Sequence, residues 1–157
     1  MSAPTQINEP GLDRREGASV SAAAMSQAPW TGAAMTGGVV ALGDFGWHVI
    51  AGHFGLGGFS DALSLGVLAF LIVAASGALL RQRSTRAIRW ARANPWRFAL
   101  LPAASCMAIV FVLSVVLGGG IVGPVLAALW HGAVAFGLTG AVGSYARRRR
   151  PGSSPSA

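Results

Sequence analysis

The chain contains no lysine, one cysteine and one tyrosine, and its five acidic residues are so sparse that only 11% of its 157 residues are charged. Each shortage excludes something. A lone Cys106 leaves no intrachain disulfide and no zinc or thiol-pair motif. A soluble domain of this size carries charge on about a quarter of its residues. Low charge beside 53% hydrophobic residues and a mean hydropathy of +0.56 therefore argues against a water-soluble fold. The acids form no cluster, and no HExxH, P-loop or nucleophile–base–oxyanion set is present. A non-enzymatic protein without a cofactor or metal is expected. His48, His53 and His131 raise bis-histidine haem ligation, but no accompanying motif supports it.

What the chain does have is arginine. All twelve basic side chains are arginines, in three clusters: Arg14 and Arg15; Arg81, Arg83, Arg86, Arg89, Arg92 and Arg97; and Arg147 to Arg150. In a soluble protein a net charge of +7 points to nucleic acid. Just outside membrane-length segments the same residues mark the cytoplasmic side and meet anionic headgroups. Arginine without lysine, beside abundant Ala, Gly and Val, resembles the codon bias of a high-GC bacterium.

Three apolar segments are strong. Ala62 to Leu80 holds nineteen residues without a charge before Arg81; at 1.5 Å per residue it covers roughly 28 Å, near the hydrocarbon thickness. Phe98 to Leu117 follows, with Pro102 in its early turns, where missing N–H partners make proline cheap. The third, 121–146, ends with Tyr145 before the last arginines. Between the second and third stand only Gly118, Gly119 and Gly120, so the two form an antiparallel hairpin. Its turn has no positive charge and the loop 81–97 has six, which sets the turn outside and the loop inside.

Parity then bears on the glycine-diluted stretch 32–58. Residues 1–31, poor in apolar periodicity, are expected to be a disordered cytoplasmic tail. An inside tail requires a crossing over about 36–56. The favoured arrangement is an all-α integral membrane protein, a small bundle of four transmembrane helices over about 36–56, 62–80, 98–117 and 121–146, the first marginal. Both termini are then cytoplasmic, and a disordered tail occupies 151–157. The alternative leaves 1–61 outside and has three spans. Asp44 is the obstacle, since a mid-span carboxylate costs about 3 kcal/mol unless paired or hydrated.

Asp44 and His48 are four apart, on one helical face, so the carboxylate can bond the imidazole as an intramembrane polar pair; alternatively the segment is shallow and the pair sits in water. Gly46-Trp47-His48 has an echo in Trp130-His131-Gly132, and His131 can satisfy itself on a neighbouring helix. Small residues Gly119, Gly123, Ala133, Gly137, Gly140 and Ser144 mark a packing strip that serves the bundle or a homo-oligomer. In the central loop, Arg81, Arg83, Arg86, Arg89, Arg92 and Arg97 with Trp90 and Trp96 are the candidate contact to anionic lipid or a partner, with direct nucleic-acid contact left open. The three-residue repeat of its arginines winds around a helix, and Asn94-Pro95 ends any helix there.

A small, Ala- and Gly-rich, lysine-free, multi-span chain with an arginine loop and a basic C-terminal end resembles the spread proteins of Streptomyces conjugative plasmids. The resemblance covers the layout of residues 30–150. It implies a membrane protein that assists movement of plasmid DNA between hyphal compartments after transfer by an FtsK-like translocase, which would be its partner. Two other classes fit the layout: a holin-like pore-forming oligomer, and an accessory subunit or assembly factor of a larger membrane complex. The topology has a direct test. Alkaline phosphatase, active only outside, is expected to be active when fused after Gly58 and after Gly120, and inactive when fused at residue 30; activity at residue 30 would establish three spans.

Overall fold

A computed structural model describes residues 14–53, 55–80, 85–118 and 120–148. Six helices account for nearly all of them: α1 Arg14–Met25, α2 Trp30–Ile50, α3 Leu56–Leu80, α4 Arg86–Ala93, α5 Pro95–Gly118 and α6 Val122–Arg148. No strand occurs among the described residues. Helices α3, α5 and α6 are long and apolar enough to cross a membrane, which supports a multi-pass membrane protein. Helix α2 has 21 residues, about 31 Å of helix, but five glycines with Asp44 and His48 dilute its hydropathy.

Helices α5 and α6 form the expected hairpin and make the most extensive contact in the molecule. Gly120 closes the turn with φ of +82°, a conformation that only glycine adopts without strain. On the other side α3 packs against both, through Leu68, Leu71, Ala103, Cys106, Val110, Ala128 and Ala135.

Helix α2 packs on α3 alone, antiparallel along its length. Phe45 meets Phe59 edge-on, with ring centroids 5.8 Å apart, and Trp30 meets Phe70 at the same distance. Midway the two backbones nearly touch. A Cβ on Gly37 would lie 2.7 Å from the Gly66 carbonyl oxygen, and one on Gly66 would lie 2.8 Å from that of Gly37. Ala33, Gly37 and Ala41 thus form a small-residue seam of the kind that lets helices associate in lipid. Away from α3, Met35, Val39, Leu42 and Ile50 are all at least 70% exposed, an apolar outer face.

Boundaries differ from the sequence expectation where local chemistry overrides hydropathy. The segment expected over 36–56 is helical over 30–50. It stops at a Schellman motif: Gly52 has φ of +76°, its N–H donates to the Val49 carbonyl, and the His53 N–H donates to that of His48. The segment expected to begin at Ala62 begins at Leu56, because a helix end tolerates Asp61 that a charge-free window excludes.

The expectation of a disordered tail over 1–31 is corrected from Arg14 onward by α1 and the start of α2; residues 1–13 and 151–157 lie outside the described residues. Helix α1 shows no apolar stripe because its contacts are alanines. Ala24, Met25 and Ala28 are buried in one cluster with Ala74, Ala75, Ala78, Ala91 and Phe98. Its order comes from the α3, α4 and α5 surfaces it meets.

The α2–α3 seam is testable by glycine replacement. Gly37→Leu is expected to overpack it and destabilise the protein by about 1–3 kcal/mol. Gly38→Leu, at a position with open space around it, is expected to be neutral or slightly stabilising. In a Cys106→Ala background, Phe45→Cys and Phe59→Cys should cross-link efficiently, and Gly37→Leu should abolish that cross-link while Gly38→Leu leaves it.

Candidate functional site

The described parts of the arginine-rich segment are helical. Thr85 caps α4: its Oγ accepts from the Ile88 N–H at 3.4 Å and from Gln27 Nε2 at 3.1 Å, which ties the α1–α2 joint to the start of α4. Asn94 ends α4 as expected, its N–H and Nδ2 both donating to the Trp90 carbonyl, and its own carbonyl accepts from the Phe98 N–H of α5. Pro95 opens α5, where its missing N–H has no function to lose.

This short helix distributes its charges over different sides. Ile88 and Ala91 are buried, whereas Arg86 and Arg89 are exposed. Arg92 turns inward, and its Nε donates to the Leu79 carbonyl at 2.8 Å, closing the C-terminus of α3. A cation there satisfies an orphan carbonyl and opposes the negative end of the helix dipole. Trp90 is half-buried over Gly17 of α1. Trp96 packs on Phe136, with centroids 5.3 Å apart, and over Gly140. Arg81 and Arg83 lie outside the described residues.

Asn94, Trp96, Arg97, Ser144, Arg147 and Arg148 line a cavity of about 590 Å³ between the α4–α5 elbow and the end of α6. Since α1 packs on α4, the helices that carry the three arginine clusters meet at one end of the bundle. Arg149 and Arg150 lie outside the described residues.

Asp44 and His48 do come together, with Nδ1 3.4 Å from the carboxylate Oδ2. The shorter contact of Nδ1 is to the Asp44 backbone carbonyl at 3.0 Å. Both side chains are a quarter exposed. The imidazole rests against Gly58, where a Cβ would lie 3.0 Å from its Cδ2. Because α2 ends at Ile50, the pair lies in its C-terminal half, near the α2–α3 turn, and not at mid-helix. His131 bonds within its own helix, Nδ1 to the Ala127 carbonyl at 2.8 Å, and not to a neighbour as expected. Among the described residues no group of three or more His, Cys, Asp or Glu is arranged for a metal ion.

Of the small residues expected to form a strip on α6, Gly140 lies against Trp96. Gly123 and Gly137 have open space where a Cβ would stand, Ala133 is exposed, and Ser144 is half-buried with its Oγ donating to the Gly140 carbonyl. Gly119 lies outside the described residues. The buried positions are Pro124, Ala128, Gly132, Ala135, Thr139, Gly140 and Gly143. Small residues occur all round this helix, so its large partners decide the register: Met107 sits over Gly132, Trp96 over Gly140 and Pro95 over Gly143.

Comparison with protein-family models, curated proteins and solved structures gives no match to this chain. The arrangement itself predicts unequal roles for the arginines of α4. Arg92→Met is expected to lower stability by about 1–2 kcal/mol through loss of the cap on α3, and Arg86→Met to leave it unchanged, as measured by thermal unfolding of the detergent-purified protein. Equal loss in both variants would remove the capping role of Arg92.

Proposed function

We propose that the protein is a non-enzymatic four-span membrane protein whose α1/α4 end is cytoplasmic, and that this basic end assists passage of plasmid DNA in a high-GC actinobacterium. The fourth span is α2. It lies antiparallel to α3 for its full length, and Met35, Val39, Leu42 and Ile50 give it an apolar outer face. Asp44 and His48 stand near the far end, where headgroup water reaches them, which lowers the penalty that weighed against this span.

The observation that carries the function is the gathering of the arginine-bearing helices at one end, with Arg86 and Arg89 exposed on a helix anchored through Ile88 and Ala91. An anchored helix presents charge without first having to be ordered, so a polyanion or an acidic surface of a DNA translocase meets a preformed contact. The outward Gly123, Ala133 and Gly137 of α6 favour a second reading, self-association into a holin-like pore.

Two measurements separate the readings. Proteoliposomes of zwitterionic lipid are expected to recruit duplex DNA, and Arg86→Gln with Arg89→Gln should weaken recruitment and reduce the salt slope by about 2. The same variant should shorten the distance a plasmid spreads through recipient hyphae. Unchanged recruitment and spread would refute the DNA reading; rapid depolarisation of cells on induction of the wild type would establish the pore.

A further inference from the structure

The cavity at the α4–α5 elbow is separate from the outward face of α4, and we infer that it is a binding site for the headgroup of one anionic phospholipid. Three arginines, Arg97, Arg147 and Arg148, line it from two chain segments, and among the described residues no Asp or Glu does. Like charges held in one concavity repel unless an anion lies among them, and guanidinium is the side chain whose fork matches phosphate oxygens in pairs. The cavity also opens at the start of α5. Proline occupies the first position, Phe98 already donates to the Asn94 carbonyl, and the first-turn N–H groups of Trp96 and Arg97 have no carbonyl four residues back within α5. These donors and the positive end of a 24-residue helix add to the pull on an anion.

Size and position identify the anion as a lipid. A volume of about 590 Å³ lies within the roughly 300–1,000 Å³ of small-ligand sites and exceeds what a bare phosphate fills. The cavity sits where α5 begins and α6 ends, at the limit of two helices apolar enough to span the membrane. Trp96 lines the same cavity while packed on Phe136, with 48% of its surface exposed. An indole fixed at the boundary of a span belongs at headgroup depth. Ser144 contributes little affinity, because its hydroxyl already donates to the Gly140 carbonyl. A net anionic headgroup is favoured over a zwitterionic one, whose choline or ethanolamine cation would meet the same arginines.

This inference rests on insertion of α5 and α6 in a bilayer and not on the DNA reading. The test uses the full chain purified in detergent, with native mass spectrometry of retained lipid after addition of phosphatidylglycerol, phosphatidylcholine or inorganic phosphate. Carbonate extraction of the source membranes checks insertion separately, so failure of the membrane reading is recognised by release of the protein. The wild type is expected to retain one phosphatidylglycerol in preference to phosphatidylcholine. Arg97→Gln, Arg147→Gln and Arg148→Gln should each weaken it about fivefold, and Arg86→Gln with Arg89→Gln on α4 should leave it unchanged. Ser144→Leu fills the cavity without changing charge and should also reduce retention. Equal retention of phosphatidylcholine, an equal loss in the α4 variant, or full retention in Ser144→Leu would overturn the site. Displacement of the lipid by inorganic phosphate would show that it takes free phosphate instead.

Discussion

Glycine at the helix crossings is the constraint on which the rest depends. Lipid tails are as apolar as leucine, so helices within a bilayer gain little hydrophobic free energy by meeting and must associate through close packing. Dispersion falls away within an ångström of separation, and closeness here comes from missing side chains. Gly37 and Gly66 bring α2 onto α3, Gly77 seats Pro29 of the α1–α2 joint, and Gly140 and Gly143 seat Trp96 and Pro95 of α5. The contact of α3 with α5 and α6 relies on larger side chains, among them Leu68, Leu71 and Val110. Each helical glycine sacrifices about 1 kcal/mol of intrinsic propensity relative to alanine, which the contact it permits must exceed.

Polar groups are arranged so that they place little demand on helix pairing. Thr36, Ser64 and Ser144 each donate a hydroxyl to the carbonyl four residues back, and His48 and His131 do the same through Nδ1. A side chain satisfied within its own helix does not select a neighbour, so shape alone chooses the partners. The Ser76 and Thr139 hydroxyls depart from this, buried on α3 and α6 without a partner among the described residues. Polar links between elements run from Arg92 to the Leu79 carbonyl and from Gln27 to the Thr85 hydroxyl.

How much of this was legible depended on whether the signal was local. The three strong helices and their hairpin followed from uninterrupted apolar runs and the Gly118–Gly120 turn, and Asn94-Pro95 marked a real boundary. Asp44 and His48 come together as their spacing implies, and the Schellman motif at Gly52, which ends α2 at Ile50, puts them in the C-terminal half of that helix. Helix α1 was invisible for a different reason: alanine and serine pack only when a partner supplies the shape, and that partner is more than about seventy residues away, as Trp90 over Gly17 shows. The register of α6 was equally hidden. A helix that is small on every side can be turned either way, and only Met107, Trp96 and Pro95 on the opposing helix settle which glycines are covered.

The same nonlocality governs the arginines. A three-residue spacing on a helix of 3.6 residues per turn steps each successive side chain back by about 60°, so Arg86, Arg89 and Arg92 cannot share one direction. The first two remain exposed, and the third is drawn onto the end of α3. Arg97, beyond the Asn94-Pro95 break, belongs to a new helix axis and joins the arginines of α6 instead. A count of arginines therefore overstates the charge that any single partner can meet. Among the described residues, what composition presents as one basic segment is, after folding, an internal cap, an outward pair and one wall of a cavity, and the cap is turned away from any outside partner.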